Sequence, residues 1–153
     1  SLRRIGYWFR TQLFLSVIMA GLVYITLTLL GVKYVLIISL LTAVFELVPF
    51  IGPIAAGAVA FLSAIVTQPE SASLALYTLF AFIALHQLEN HVLVPLIVGR
   101  NLGLHPVVVI ISLLIGLEVA GFLGAIVSVP ITVILQEALE NWSEKKTRRL
   151  SAA

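Results

Sequence analysis

The chain has no cysteine and no aspartate, and only 10% of its 153 residues are charged, where a soluble domain carries about 25%. Without cysteine there is no disulfide framework and no thiolate metal site. Without aspartate a Ser–His–Asp triad cannot be assembled. No glycine-rich phosphate loop occurs. What is abundant is apolar side chain, 61% of the residues against about 45–50% in a soluble domain. The mean hydropathy is +1.15. A water-soluble fold of this size lacks the interior to hide so much apolar surface. The same numbers exclude a disordered chain, a collagen and a nucleic-acid-binding domain. Composition therefore predicts an all-α, polytopic membrane protein, not an enzyme, with the lipid bilayer as its first partner.

The placement of the few charges agrees. Basic residues gather at the two ends, Arg3, Arg4 and Arg10 at the start and Lys145, Lys146, Arg148 and Arg149 at the close. Between Thr11 and Gln136 the only charged side chains are Lys33, Glu46, Glu70, Glu89, Arg100 and Glu118. A net charge of +2 gathered at the termini is a topology signal. Ser1 stands where an initiating methionine would, so the single transmembrane domain 1–153 is expected to be a fragment of something longer.

Four apolar blocks are apparent. Thr11–Leu30 is uncharged and long enough to cross a hydrocarbon core of about 30 Å. Tyr34–Val66 is too long for one upright helix and is interrupted by Glu46, Pro49, Gly52 and Pro53. Ala72–Val98 turns polar at His86–His91 and is closed by Pro95. Pro106–Gln136 is interrupted by Gly116, Glu118, Gly121 and Gly124. The segment 137–153 reads as an amphipathic tail with Trp142 as an interfacial anchor.

Sliding the sequence by 72 positions aligns Gly31–Ala64 with Gly103–Gln136 and gives eight identities in 34 pairs, among them Glu46/Glu118, Phe50/Phe122 and Gly52/Gly124. One reading is coincidence in a low-diversity alphabet. The other is a duplication, with repeats at about 11–66 and 72–136, each a spanning helix followed by a broken segment. Paired interrupted segments are the sequence pointer to a transporter's binding site. If each broken segment enters the bilayer and turns back, the two copies are inverted. With a cytoplasmic N-terminus, Thr67–Ser73 then lies outside, while Arg100 and the tail lie inside. A competing topology makes the two broken segments single bent spans and reverses both loops. The outside loop holds Glu70 and no lysine or arginine, which favours the re-entrant hairpins. Small residues recur every fourth position in both broken segments (Gly52, Ala56, Ala60 and Ala64; Ala120, Gly124, Ser128 and Thr132), as close helix packing in lipid requires.

Candidate functional residues are those that lipid cannot tolerate. A charged carboxylate at the bilayer centre costs about 2.5–3.5 kcal/mol even on the lenient scale. Glu46 and Glu118, at equivalent interruptions, are expected to share a polar cavity or else to sit at turns near the headgroups. Pro49 and Pro53 free carbonyls that only a cavity or protein interior tolerates. The run His86-Gln87-Leu88-Glu89-Asn90-His91 is the densest polar cluster, with His86, Glu89 and Asn90 toward one side of a helix. A zinc-protease pair needs histidines four apart with glutamate after the first. Here they are five apart and glutamine follows, so no metal is expected.

Val48-Pro49-Phe50-Ile51-Gly52-Pro53, Gln87-Leu88-Glu89-Asn90 with Pro95 and Gly99-Arg100, Leu102-Gly103-Leu104-His105-Pro106, and the spaced Gly116, Gly121, Gly124 and Pro130 resemble, in order and spacing, the C-terminal half of the AI-2E transporter family. The resemblance covers about Arg10 to Trp142. Two departures stand out: Gly116-Leu117 followed by Glu118 replaces paired glycines, and a proline is missing near Ala58–Val59. The resemblance implies a multi-pass permease of the cytoplasmic membrane, in a family where oligomers occur, which fits an expected homo-oligomer; no cofactor is expected. Family members are linked to export of the quorum signal autoinducer-2 and to Na+/H+ exchange. The expected pathway residues are Glu46, Pro49, Gly52, Pro53, His86, Gln87, Glu89, Asn90, His91 and Glu118. A non-transporting membrane scaffold, whose broken helices serve packing alone, is the alternative.

Overall fold

The computed structural model describes residues 2–97 and 106–151, excepting the side chains of residues 106 and 147–151. Gly99, Arg100 and Gly103 lie outside the described residues. Among the described residues the chain is helical, with no strand. The helices are α1 (Leu2–Leu30), α2 (Val35–Phe45), α3 (Ile51–Thr67), α4 (Ala72–Leu88), a π-helical turn (Glu89–Leu93), α5 (Val94–Ile97) and α6 (Pro106–Ser151). Leu2–Leu30, Ala72–Ile97 and Val107–Lys146 are long and apolar enough to cross a membrane. The chain folds as two compact units, residues 10–101 and residues 1–9 with 102–153.

α1 begins nine residues before the apolar block Thr11–Leu30 and belongs to the first unit from residue 10 on. Hydropathy marks the part of a helix that meets lipid, whereas arginine is a good helix former and lets the helix continue past it. α1 ends in a Schellman motif: Gly31 takes φ +77°, its N–H reaches Thr28 O at 3.2 Å, and Val32 N–H reaches Leu27 O at 3.1 Å. α2 and α3 follow as a hairpin. At the bend Phe50 has φ +66° and ψ −45°, and Ile51 N–H closes onto Pro49 O at 2.8 Å. That is the rarer, strained γ-turn, and holding a non-glycine residue there costs about 1–3 kcal/mol. Phe50→Gly relieves that strain against about 0.5–1 kcal/mol of added chain entropy. It is expected to raise the melting temperature of the detergent-solubilised protein, and Phe50→Val to lower it. A glycine variant that melts below the wild type would contradict the strained bend.

Past the bend, a Cβ on Gly52 would run into the Phe45 carbonyl oxygen, so only glycine lets the two arms approach this closely. The stripe Ala56, Ala60 and Ala64 is fully buried in a core with Val23, Leu27, Ile38, Leu74 and Phe82. Small side chains thus let α3 pack at short range, where dispersion rather than the hydrophobic effect holds helices together.

The second unit is built on α6, which is two helical arms, 106–119 and 122–151. Ala120 (φ −140°) and Gly121 (φ +63°, ψ −146°) break it, the latter in a region only glycine adopts. A Cβ on Gly116 would meet Gly124 O, and one on Gly124 would meet Gly116 O. Eight residues of straight helix would separate these two by about 12 Å, so the arms fold back on each other. Pro130 lies inside the second arm. Arg4, on the first turns of α1, lies 4.0 Å from Glu137 on the second arm, and Lys146 sits 5.7 Å above the Trp142 ring.

The distribution of polarity is that of a membrane protein. Leu29 and Val119 are 82% and 80% exposed, while Thr42, Glu46, Thr78 and Glu89 are buried. Buried hydroxyls close onto their own helices, Thr42 onto Ile38 O and Thr78 onto Leu74 O, both at 2.8 Å. Hydrocarbon offers them no other partner.

Candidate functional site

The bend between α2 and α3 and the π-turn after α4 each carry one carboxyl group, and the first unit brings the two together. Glu46 follows the last residue of α2. It is 2% exposed, although its side chain is charged in water. Glu89 opens the π-turn and is 5% exposed. The two carboxyl groups lie close enough to act on each other electrostatically. Two carboxylates so placed repel when both are ionised.

Local structure explains the placement. Pro49 has no N–H, so α2 cannot continue through it, and the carbonyl of Glu46 is left without its helical partner. The buried side chain of Gln12 on α1 donates its amide N–H to that carbonyl. Gln12 was invisible among the motifs. Its only signal is a polar face in an apolar helix, since Gln12 and Ser16 lie four apart and both are buried.

On α4 the carboxyl pair continues into a polar chain. His86 Nδ1 lies 3.5 Å from Glu89 Oε2, and Asn90 Nδ2 lies 3.1 Å from His86 Nε2. An amide nitrogen only donates, so the tautomer that fits both contacts accepts at Nε2 and carries its proton on Nδ1, toward Glu89. His86 is half-buried and Asn90 exposed, so the chain leads from the interior outward. His91 is exposed and spends Nδ1 on Gln87 O at 2.9 Å, inside the widened turn. Gln87 itself is exposed. π-turns of this kind are frequent at functional sites.

Of the remaining candidates, Pro49 and Pro53 are half-buried at the bend and Gly52 is buried between the arms. Pro95 lies within α5. Glu118 belongs to the second unit, exposed and two residues ahead of the Ala120–Gly121 break. A groove of about 350 Å³ lined by Pro53, Gly57, Phe61 and Phe82 opens beside His86. A groove of about 500 Å³ along α6 has only Ser112, Ser128 and Thr132 as polar lining side chains. Among the described residues no three His, Cys, Asp or Glu side chains gather as a metal site.

A family model described as AI-2E family transporter matches residues 1–144, across both broken hairpins and the polar run. The chain belongs to the AI-2E transporter family. It is 32% identical over 143 residues to YrrI of Bacillus subtilis, a candidate transport protein by name, covering 94% of this chain and 40% of that one. It is 26% identical over 129 residues to the similarly named YueF of Bacillus subtilis, covering 84% and 34%. To YhhT of Escherichia coli, also named for transport, it is 25% identical over 140 residues, covering 92% and 40%. The chain thus spans about two-fifths or less of the AI-2E relatives it matches. Membership makes this a multi-pass membrane protein, and among the described residues of this AI-2E chain the carboxyl pair is the most deeply buried charge-bearing group.

Proposed function

We propose that the chain forms part of a permease of the cytoplasmic membrane that moves a small solute or ion, with the Glu46–Glu89 pair as its ion-handling site. The observation that carries this reading is the burial of two carboxyl groups against each other at two helix irregularities. Buried ionisable groups in a membrane are expensive and mark ion or substrate pathways. The transport names of the relatives support the same class. Autoinducer-2 export and Na+/H+ exchange are the two activities offered for this chain, with H+ or Na+ as the coupling ion and a homo-oligomer as the assembly.

Helix lengths support the re-entrant topology. α2 and α3 are about 16 and 25 Å long, and the first arm of α6 about 21 Å, each short of a hydrocarbon core of about 30 Å. From the Gly121 break to Glu137, beside Arg4 of α1, the second arm rises about 24 Å. Two spans, α1 and α4–α5, then alternate with two hairpins in inverted repeats. Both breaks also fall at the same place in the 72-residue register, Pro49 opposite Gly121 and Gly52 opposite Gly124. Both ends are then cytoplasmic and Thr67–Ser73 is outside. A protease site inserted there should be cut only from the outside of intact cells. Cutting only from the cytoplasm would leave two bent spans instead.

The activity is tested with the full-length protein in liposomes under imposed H+ and Na+ gradients. The probes are labelled autoinducer-2, ²²Na+ and a lumenal pH dye. Gradient-driven movement of at least one probe above protein-free liposomes is expected. Movement of none would favour the scaffold.

A further inference from the structure

We infer that His86 is the proton-exchange group of the Glu46–Glu89 site, carrying protons between the groove beside it and the buried pair. This rests on the reading of that pair as an ion-handling site, and adds the route by which a proton reaches it. Glu46 and Glu89 are 2% and 5% exposed, so neither carboxyl meets water directly. The His86 side chain, 37% exposed, touches both worlds, with Nδ1 on Glu89 Oε2 and Nε2 on the exposed Asn90.

The groups facing the ring are few among the described residues. On its own segment they are Glu89 and Asn90. α3 presents the apolar Pro53, Gly57 and Phe61 to the groove, with no titratable group. Glu46 stands behind Glu89. Because Nδ1 is turned toward Glu89, an incoming proton is taken up at Nε2, on the side of the exposed Asn90. It displaces the Asn90 N–H and binds Nε2, giving an imidazolium. The Nδ1 proton then passes to Glu89 Oε2, leaving a neutral ring protonated on Nε2 and one more proton on the carboxyl pair. The steps in reverse unload the pair and restore the starting tautomer. Imidazole suits this because its two nitrogens can take up a proton at one edge of the ring and release one at another. A Na+ site would instead ask for a shell of oxygens, whereas the Glu89 carboxyl faces a ring N–H.

The test follows the carboxylic-acid C=O infrared band of the full-length protein after a rapid pH jump. Glu46→Gln and Glu89→Gln should each remove the pH-dependent part of that band, which assigns it to the pair. His86→Gln keeps a hydrogen-bonding side chain beside Glu89 but cannot relay. It should slow the band's appearance at least about tenfold while leaving its final amplitude intact. His86→Phe, which keeps ring volume without any donor, should slow it as much. Wild-type rates in both variants would overturn the role of His86 and leave the carboxyl pair standing. Loss of amplitude together with rate would make His86 a structural partner and would also overturn the relay. A band insensitive to either glutamate would overturn both the relay and the ion-handling site.

Discussion

Glu89→Gln is expected to abolish gradient-driven flux, by at least about 100-fold, while expression and membrane insertion stay at wild-type levels. The glutamine amide has the shape of the carboxyl group, and it can still hydrogen-bond to His86. What it cannot do is gain or lose a proton or neutralise a cation. Glu46→Gln should have the same effect, because the two carboxyl groups act on each other and either substitution removes one titratable member of the pair. The double variant should be no worse than either single one, since residues acting as a unit are not additive. The comparison to make is initial flux per assembled protein in liposomes. Flux within twofold of wild type in Glu89→Gln would assign that residue to helix packing.

The second large effect concerns the hairpins. Gly52→Ala places a methyl group against the Phe45 carbonyl, and Gly116→Ala or Gly124→Ala places one against the backbone of the opposite arm. Backbone cannot swing aside as a long side chain can, so each change should cost about 1–3 kcal/mol. Gly6 and Gly21 are internal controls, because a Cβ there meets nothing within 4 Å. Alanine at those helical positions should be neutral or stabilising by about 0.5–1 kcal/mol. Thermal unfolding of the five single variants in detergent should separate them into these two groups. Equal stability of Gly52→Ala and Gly21→Ala would mean that the arms do not approach as closely as the structure has them.

Much of this arrangement is legible in the sequence, for stated reasons. Proline and glycine report on backbone, so Pro49 and Gly52 mark the α2–α3 bend and Gly121 marks the break in α6. Composition reports on solvent, so the membrane class is plain from 61% apolar residues. What composition and spacing do not report is which polar groups meet across the fold. Glu46 and Glu89 lie on different elements and meet only once α3 has packed on α4. The π-turn at Glu89–Leu93 is likewise hidden, because its residues would suit an ordinary helix. Gln12 caps a carbonyl orphaned far along the chain, and nothing near it in sequence announces that task. Glu46 and Glu118 differ in burial within their own units. The first is enclosed and the second exposed, in separate units, although the 72-residue register pairs them.

The central claim is that a water-connected, ion-bearing pathway runs past the α2–α3 bend and the polar end of α4, and its most direct test is a thiol-accessibility scan in native membranes. These 153 residues contain no cysteine, so single replacements within them report without background from the same segment. Pro53→Cys, His86→Cys and Asn90→Cys should react with a small membrane-impermeant thiol reagent, while the lipid-facing controls Val17→Cys and Leu76→Cys should stay protected. Protection at all five positions would contradict the pathway and leave the broken helices as packing devices.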